Sequence, residues 1–188
     1  MVRFLGFLLG VVLAVASGSL FAQSRTVPRT FDHVRPLGRA LAEFKNDRIQ
    51  IVTSYSYSQA NHDSRWLLIE FGALSRAKTT IERDRIEVVT PDGRLVPHAP
   101  PARVRDAEDL GELMLQTSPS RPRLYWYLPY DGLCCPESFR IHDGFYAQQR
   151  DAAWTPMQVD SRGPVWADLL FESPTGEWER GAYALVIR

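Results

Sequence analysis

Residues 65–74 read Arg65-Trp66-Leu67-Leu68-Ile69-Glu70-Phe71-Gly72-Ala73-Leu74. A run this apolar, rich in branched and aromatic side chains, is too hydrophobic for a sheet edge. It suits a strand at the centre of a sheet or sandwich, covered on both faces. Upstream, residues 48–57 alternate. Ile49, Ile51, Thr53, Tyr55 and Tyr57 fall on one face and Gln50, Val52, Ser54 and Ser56 on the other, which predicts a half-buried strand. Downstream, a strand over 81–90 runs into Pro91-Asp92-Gly93-Arg94, where proline fixes φ and glycine accepts a positive φ. Leu95 and Val96 resume the hairpin and Pro97, Pro100 and Pro101 end it.

Further strands are predicted over 123–128, where Leu124, Trp126 and Leu128 alternate with Tyr125 and Tyr127, and over 165–171 and 182–187. A shorter one is expected within 138–146, around Phe139, Ile141 and Phe145. Seven or eight short strands separated by Gly/Pro turns give the profile of a mostly β chain folded as a β-sandwich. One or two short helices complete the expectation. One spans 36–44, with Pro36 in its first turn and Leu37, Ala40, Leu41 and Phe44 at helical spacing. The other has Asp106 as N-cap, acidic Glu108, Asp109 and Glu112 near its positive end, and an apolar stripe of Val104, Ala107, Leu110, Leu113 and Met114.

Near its start the chain carries Arg3, an apolar core over 4–16 and Ser17 to Ala22 leading into a cleavage site, the pattern of a secretory signal peptide cleaved after Ala22, with Gly18 as the fallback. A membrane anchor would need about 20 apolar residues, and this core is shorter. No cysteine lies near the cleavage site to take a lipid, so no stable membrane anchor is expected after cleavage. The organisation is therefore a signal peptide over 1–22, a flexible N-terminal arm with a short helix over 23–46, and a β-sandwich domain over 47–188. Residues 23–188 are the length of one ordinary domain. Neither Asn46 nor Asn61 opens a glycosylation sequon, and export points to the bacterial periplasm or beyond the cell. With 22 basic and 22 acidic side chains, bulk charge calls for neither nucleic acid nor an anionic membrane.

The ending Trp178-Glu179-Arg180-Gly181-Ala182-Tyr183 resembles the last hairpin of bacterial exported immunoglobulin-like or fibronectin-III-like domains, in which a Trp-x-x-Gly-x-Tyr pattern opens the closing strand. In that arrangement Gly181 permits a tight approach or a positive φ. Tyr183 buries its ring and hydrogen-bonds its hydroxyl to a neighbouring loop. The resemblance implies an immunoglobulin-like architecture and no particular activity.

Cys134 and Cys135 are the only cysteines, adjacent in a chain read as sent to an oxidising compartment. Neighbouring Cα atoms stand about 3.8 Å apart, whereas disulfides prefer roughly 5.5–6 Å, so a bridge between them would be strained and easily reduced. A loop staple is the plainer role, and a redox switch or a rigid ligand-contacting lip is the functional one. A metal site would add His142 and Asp143, with help from His98, but the spacing matches no zinc pattern and adjacent cysteines point apart on an extended chain. No metal or other cofactor is assigned.

Tyr125, Trp126, Tyr127 and Tyr130 form the densest aromatic cluster, introduced by Arg121 and Arg123. Facing solvent, Tyr125, Tyr127 and Tyr130 would stack on a saccharide or contact a protein; facing a second sheet, they would be core. No Gly-x-Ser-x-Gly elbow, His-Glu-x-x-His, phosphate loop, Cys-x-x-Cys or calcium loop occurs, and scattered acids such as Asp143, Asp160 and Asp168 form no local pair. The sequence thus favours a binding or accessory module over an enzyme, with Tyr125, Tyr127, Tyr130, Cys134 and Cys135 as contact residues for a protein or saccharide partner. The alternative is a redox or metal-binding protein using the Cys134–Cys135 pair.

Overall fold

The run that begins at Trp66 forms a ten-residue strand with a partner strand on each side. The fold is that of a computed structural model, which describes residues 9–13, 32–56, 58, 65–107, 124, 127, 128, 140, 141 and 156–188. In chain order the elements are β1 (Leu9–Leu13), β2 (Val34–Pro36), β3 (Leu41–Lys45), β4 (Ile49–Ser54), β5 (Trp66–Ser75), β6 (Thr79–Ile81), β7 (Ile86–Val89), β8 (Leu95–Pro97), α1 (Pro101–Asp106), β9 (Arg140–Ile141), β10 (Met157–Val159), β11 (Val165–Glu172) and β12 (Tyr183–Ile187). The fold is mostly β, and its sheets are largely antiparallel. A six-stranded sheet runs β2-β3-β4-β5-β11-β9, a four-stranded one β1-β12-β7-β8, and a two-stranded one β10-β6. Among the described residues only β1 with β12 and β9 with β11 pair in parallel.

β5 is buried on both faces because it occupies the middle of the larger sheet, between β4 and β11. Leu67, Ile69, Phe71 and Ala73 enter the main core, where they meet Phe44, Ile51, Leu169 and Phe171 of the same sheet and Ile86, Val88, Leu185 and Ile187 of the four-stranded sheet. Each large apolar side chain so enclosed stabilises the fold by about 1.5–3 kcal/mol relative to exposure. The opposite face of β5 is covered in two patches. Trp66 and Leu68 pack with Leu170 and Ala99, against Val104 of α1. Further along, Val52 and Trp166 pack with Leu124 and Leu128, against Leu37, Leu41 and Leu74. Gly72 lies directly opposite Trp166, and a Cβ at Gly72 would come within 2.9 Å of the indole Cε3, so glycine is what allows the ring to lie across the strand.

The turn after β7 forms as the sequence predicts. Gly93 takes a φ of 83°, its N–H donates to the Thr90 carbonyl at 2.8 Å, and Val89 faces Leu95 across the hairpin. The predicted strand over 81–90 is divided, because a single 3₁₀ turn at Arg83–Arg85 separates β6 from β7. Residues 173–182 lead from β11 to β12, which lie in different sheets and form no hairpin. There the Tyr183 hydroxyl donates to the Glu179 carbonyl at 2.6 Å, and its ring meets Trp178 edge-on with centroids 5.7 Å apart. A Cβ on Gly181 would stand 2.7 Å from Pro91 Cβ, so this glycine admits a close approach between the two turns.

Three local expectations are corrected. Residues 36–44 form no helix; the segment is a β2–β3 hairpin, with Leu41 opposite Ser54 and Lys45 opposite Gln50 on β4. A nine-residue helix is marginal on its own, whereas pairing with β4 satisfies the backbone and buries Phe44. Asp106 is the last residue of α1 and not a cap. The helix starts at Pro101, where a missing N–H costs nothing, and residues 108–114 lie outside the described ones. Leu124 and Tyr127 have 3₁₀ and not strand backbone.

Candidate functional site

The outer face of the six-stranded sheet carries a polar seam between and beside its two apolar patches. Strand alternation puts Glu43, Gln50, Ser54, Glu70 and Asp168 on this face with Val52, Leu68, Gly72 and Trp166. One cross-strand row reads Ser54–Glu70–Asp168 over β4, β5 and β11, because Ser54 lies opposite Glu70 and Glu70 opposite Asp168. Both carboxyl groups belong to buried residues, Glu70 3 % and Asp168 9 % exposed. The fold therefore sets two acids far apart in sequence side by side. Ser54 Oγ meets the Ser56 hydroxyl at 2.9 Å, and Ser58 accepts from the Leu68 N–H at 2.9 Å, so small hydroxyl residues tie the chain after β4 to β5.

The second part of the seam is a relay along the free side of the sheet. Glu43 is buried, and its carboxylate accepts from the Arg35 guanidinium on β2 and from the Gln50 amide at 2.6 Å. The other N–H of that amide donates to the Tyr127 carbonyl at 2.9 Å. Hydrogen bonds to a charged acceptor are the stronger kind, and a buried carboxylate requires them. The relay fixes the backbone of Tyr127 on the sheet, and Leu124 and Leu128 on either side are buried in the patch around Trp166. The Tyr127 side chain, by contrast, is 38 % exposed, one of two large apolar side chains so exposed among the described residues. The result is an aromatic ring held outward on an anchored backbone.

Of the contact residues read from sequence, Tyr127 has this outward placement, and Tyr125, Tyr130, Cys134 and Cys135 lie outside the described residues. Trp126, His142 and Asp143 lie outside them as well. His98 is described, and it is buried edge-on against Phe171, with centroids 5.6 Å apart. Burial, with the Arg83 charge nearby, pushes its imidazole down to about 3, and the Arg83 guanidinium donates to the carbonyls of His98 and Ala99. His98 is thus a neutral core residue. Among the described residues no group of three His, Cys, Asp or Glu side chains is placed to hold a metal ion, and no helix is long and apolar enough to cross a membrane.

Sequence reasoning missed Glu43, Gln50 and Glu70. Glu43 was hidden by a helical reading of its segment, and Glu70 by the apolar run around it. The usable signal was a carboxylate inside a strand assigned to the centre of a sheet, since a charge there must be compensated. Comparison with family models, with curated proteins and with solved structures finds no match.

Proposed function

We propose that this chain is an exported immunoglobulin-like β-sandwich that works by binding, as an accessory or interaction module in the periplasm. Its contact surface is the lip formed by Tyr125, Tyr127 and Tyr130 with the Cys134–Cys135 loop, and its partner is a protein or a saccharide. The sandwich reading is supported by the one core that takes side chains from both the six-stranded and the four-stranded sheet. The export reading rests on residues 1–22. The observation that carries the binding reading is Tyr127, whose ring is exposed while its backbone is pinned through Gln50 to a buried carboxylate. A tyrosine held this way offers amphipathic area at little entropic cost, because its backbone is already ordered before a partner arrives.

The test pairs the native protein with Tyr127→Ala, each immobilised and exposed to periplasmic extract and to a glycan array. A protein or glycan retained by the native form and weakened about tenfold or more in the variant, at unchanged melting temperature, is the expected result. Equal retention by the two forms removes Tyr127 from the binding surface.

A further inference from the structure

We infer that the outer edge of β12 is an acceptor for an extended, uncharged apolar strand supplied by a partner protein. This rests on the reading of residues 1–22 as a cleaved export signal, because in the intact chain that edge is taken by β1. Leu9 pairs with Tyr183, Val11 with Leu185 and Leu13 with Ile187, in parallel. The occupant comes from the segment that export removes.

Which groups are left is fixed by the other side of β12. The Arg188 N–H donates to the Arg85 carbonyl at 3.1 Å, and Ala184, Val186 and Arg188 therefore direct their backbone toward β7. Tyr183, Leu185 and Ile187 alternate with them and direct their N–H and C=O groups to the opposite side. These groups face β1, and its removal takes that neighbouring strand away.

Among the described residues the other edges of the two larger sheets are blunted and this one is not. β2 is Val34–Pro36, three residues that include a proline and an arginine. β8 is Leu95–Pro97, again three residues ending in proline, and β9 is Arg140–Ile141, two residues long. Short length, proline and charge are the devices that keep sheet edges from pairing. β12 reads Tyr183-Ala184-Leu185-Val186-Ile187, five residues with no charge, no proline and no glycine. Left bare, such an edge invites pairing, and its composition fits an edge that stays covered.

The occupant's chemistry is read from the strand that fills the place. Leu9-Gly10-Val11-Val12-Leu13 is extended and uncharged, runs parallel to β12, and also lies close to β2 and β3 of the larger sheet. A partner strand of this kind would add itself to the four-stranded sheet through backbone hydrogen bonds, with apolar side chains setting the register.

The experiment uses the protein as recovered from the periplasm. Its intact mass first shows whether residues 1–22 are gone. Amide hydrogen exchange is then measured with and without a synthetic peptide of Leu9–Leu13 flanked by lysines, and with the same peptide carrying Val12→Asp. The expected result is fast exchange at Tyr183, Leu185 and Ile187 in the processed protein, slowed about tenfold or more by the first peptide and not by the second, with Ala184 and Val186 protected throughout. Three results overturn the inference: no slowing, slowing equal for both peptides, or amides already protected in the processed protein, which would mean that its own residues 23–31 or a second copy cover the edge. A mass that retains 1–22 overturns the export reading itself, and with it the vacancy of the edge.

Discussion

His98 is a base kept without its proton. In the unfolded chain the imidazole takes up a proton as the pH falls through about 6.5, while in the folded protein burial and Arg83 delay this to about 3. Between those values the unfolded state binds the extra proton, so stability falls as the solution is acidified, and above about 6.5 the residue contributes no slope. From pH 6 to pH 5 the native protein should lose about 1 kcal/mol that His98→Gln does not lose, whatever the starting stability of the variant. Urea unfolding at the two pH values measures this; equal losses in both proteins would mean that the imidazole titrates freely in the fold. Asp92 and Glu172 also have carboxyls held below their usual range, Asp92 chiefly by the Thr90 hydroxyl and Glu172 chiefly by Arg103. Both titrate below this window, which keeps the comparison clean.

At the scale of elements, the β2–β3–β4 edge is held by one buried carboxylate serving three segments. Removing it leaves the buried Gln50 amide short of an acceptor, and Glu43→Ala should cost about 2 kcal/mol. Arg35→Ala removes a guanidinium that is 69 % exposed and that water can partly replace, so it should cost less than Glu43→Ala although the carboxylate it leaves is buried. Equal costs in chemical denaturation would place the strength of the relay in the ion pair and not in the amide. This hairpin also marks where the sequence stopped being legible. Strands were readable where a run is apolar throughout, as in β5 and β11, and where Pro91 and Gly93 encode a turn. β4 was readable as a strand, but it ends at Ser54 and is buried on both faces. Its alternation predicts one solvent face, which the side chains of Leu124 and Leu128 cover. The close approach at Gly181 and the buried, hydrogen-bonded Tyr183 were readable from residue type, but the hairpin was not, because β12 pairs with β1 and β7 and not with β11. Residues 36–44 were not, since a nine-residue stretch can match helical spacing while its hydrogen-bond partners lie on β4. Glu70 and Asp168 were opaque for a related reason: their adjacency is a matter of strand register, which 97 intervening residues leave unspecified.

At the scale of the molecule, a core shared between sheets supports an outer face on which polar groups sit between apolar patches and an aromatic ring stands outward. The interior residues explain why the chain folds. They say little about what it binds, because one kind of apolar core supports many unrelated functions. Two departures from that pattern carry the proposals: an exposed ring on an anchored backbone, and an edge of β12 that carries neither charge nor proline and is covered by β1. Contact between Tyr127 and a partner is the proposal on which the binding reading stands, and hydroxyl-radical footprinting of the native protein, alone and with the ligand that it retains, measures it directly. Tyr127 should be strongly labelled in the free protein and protected in the complex, with the buried Tyr183 weakly labelled in both. Tyr127 labelled equally with and without the bound partner would contradict it.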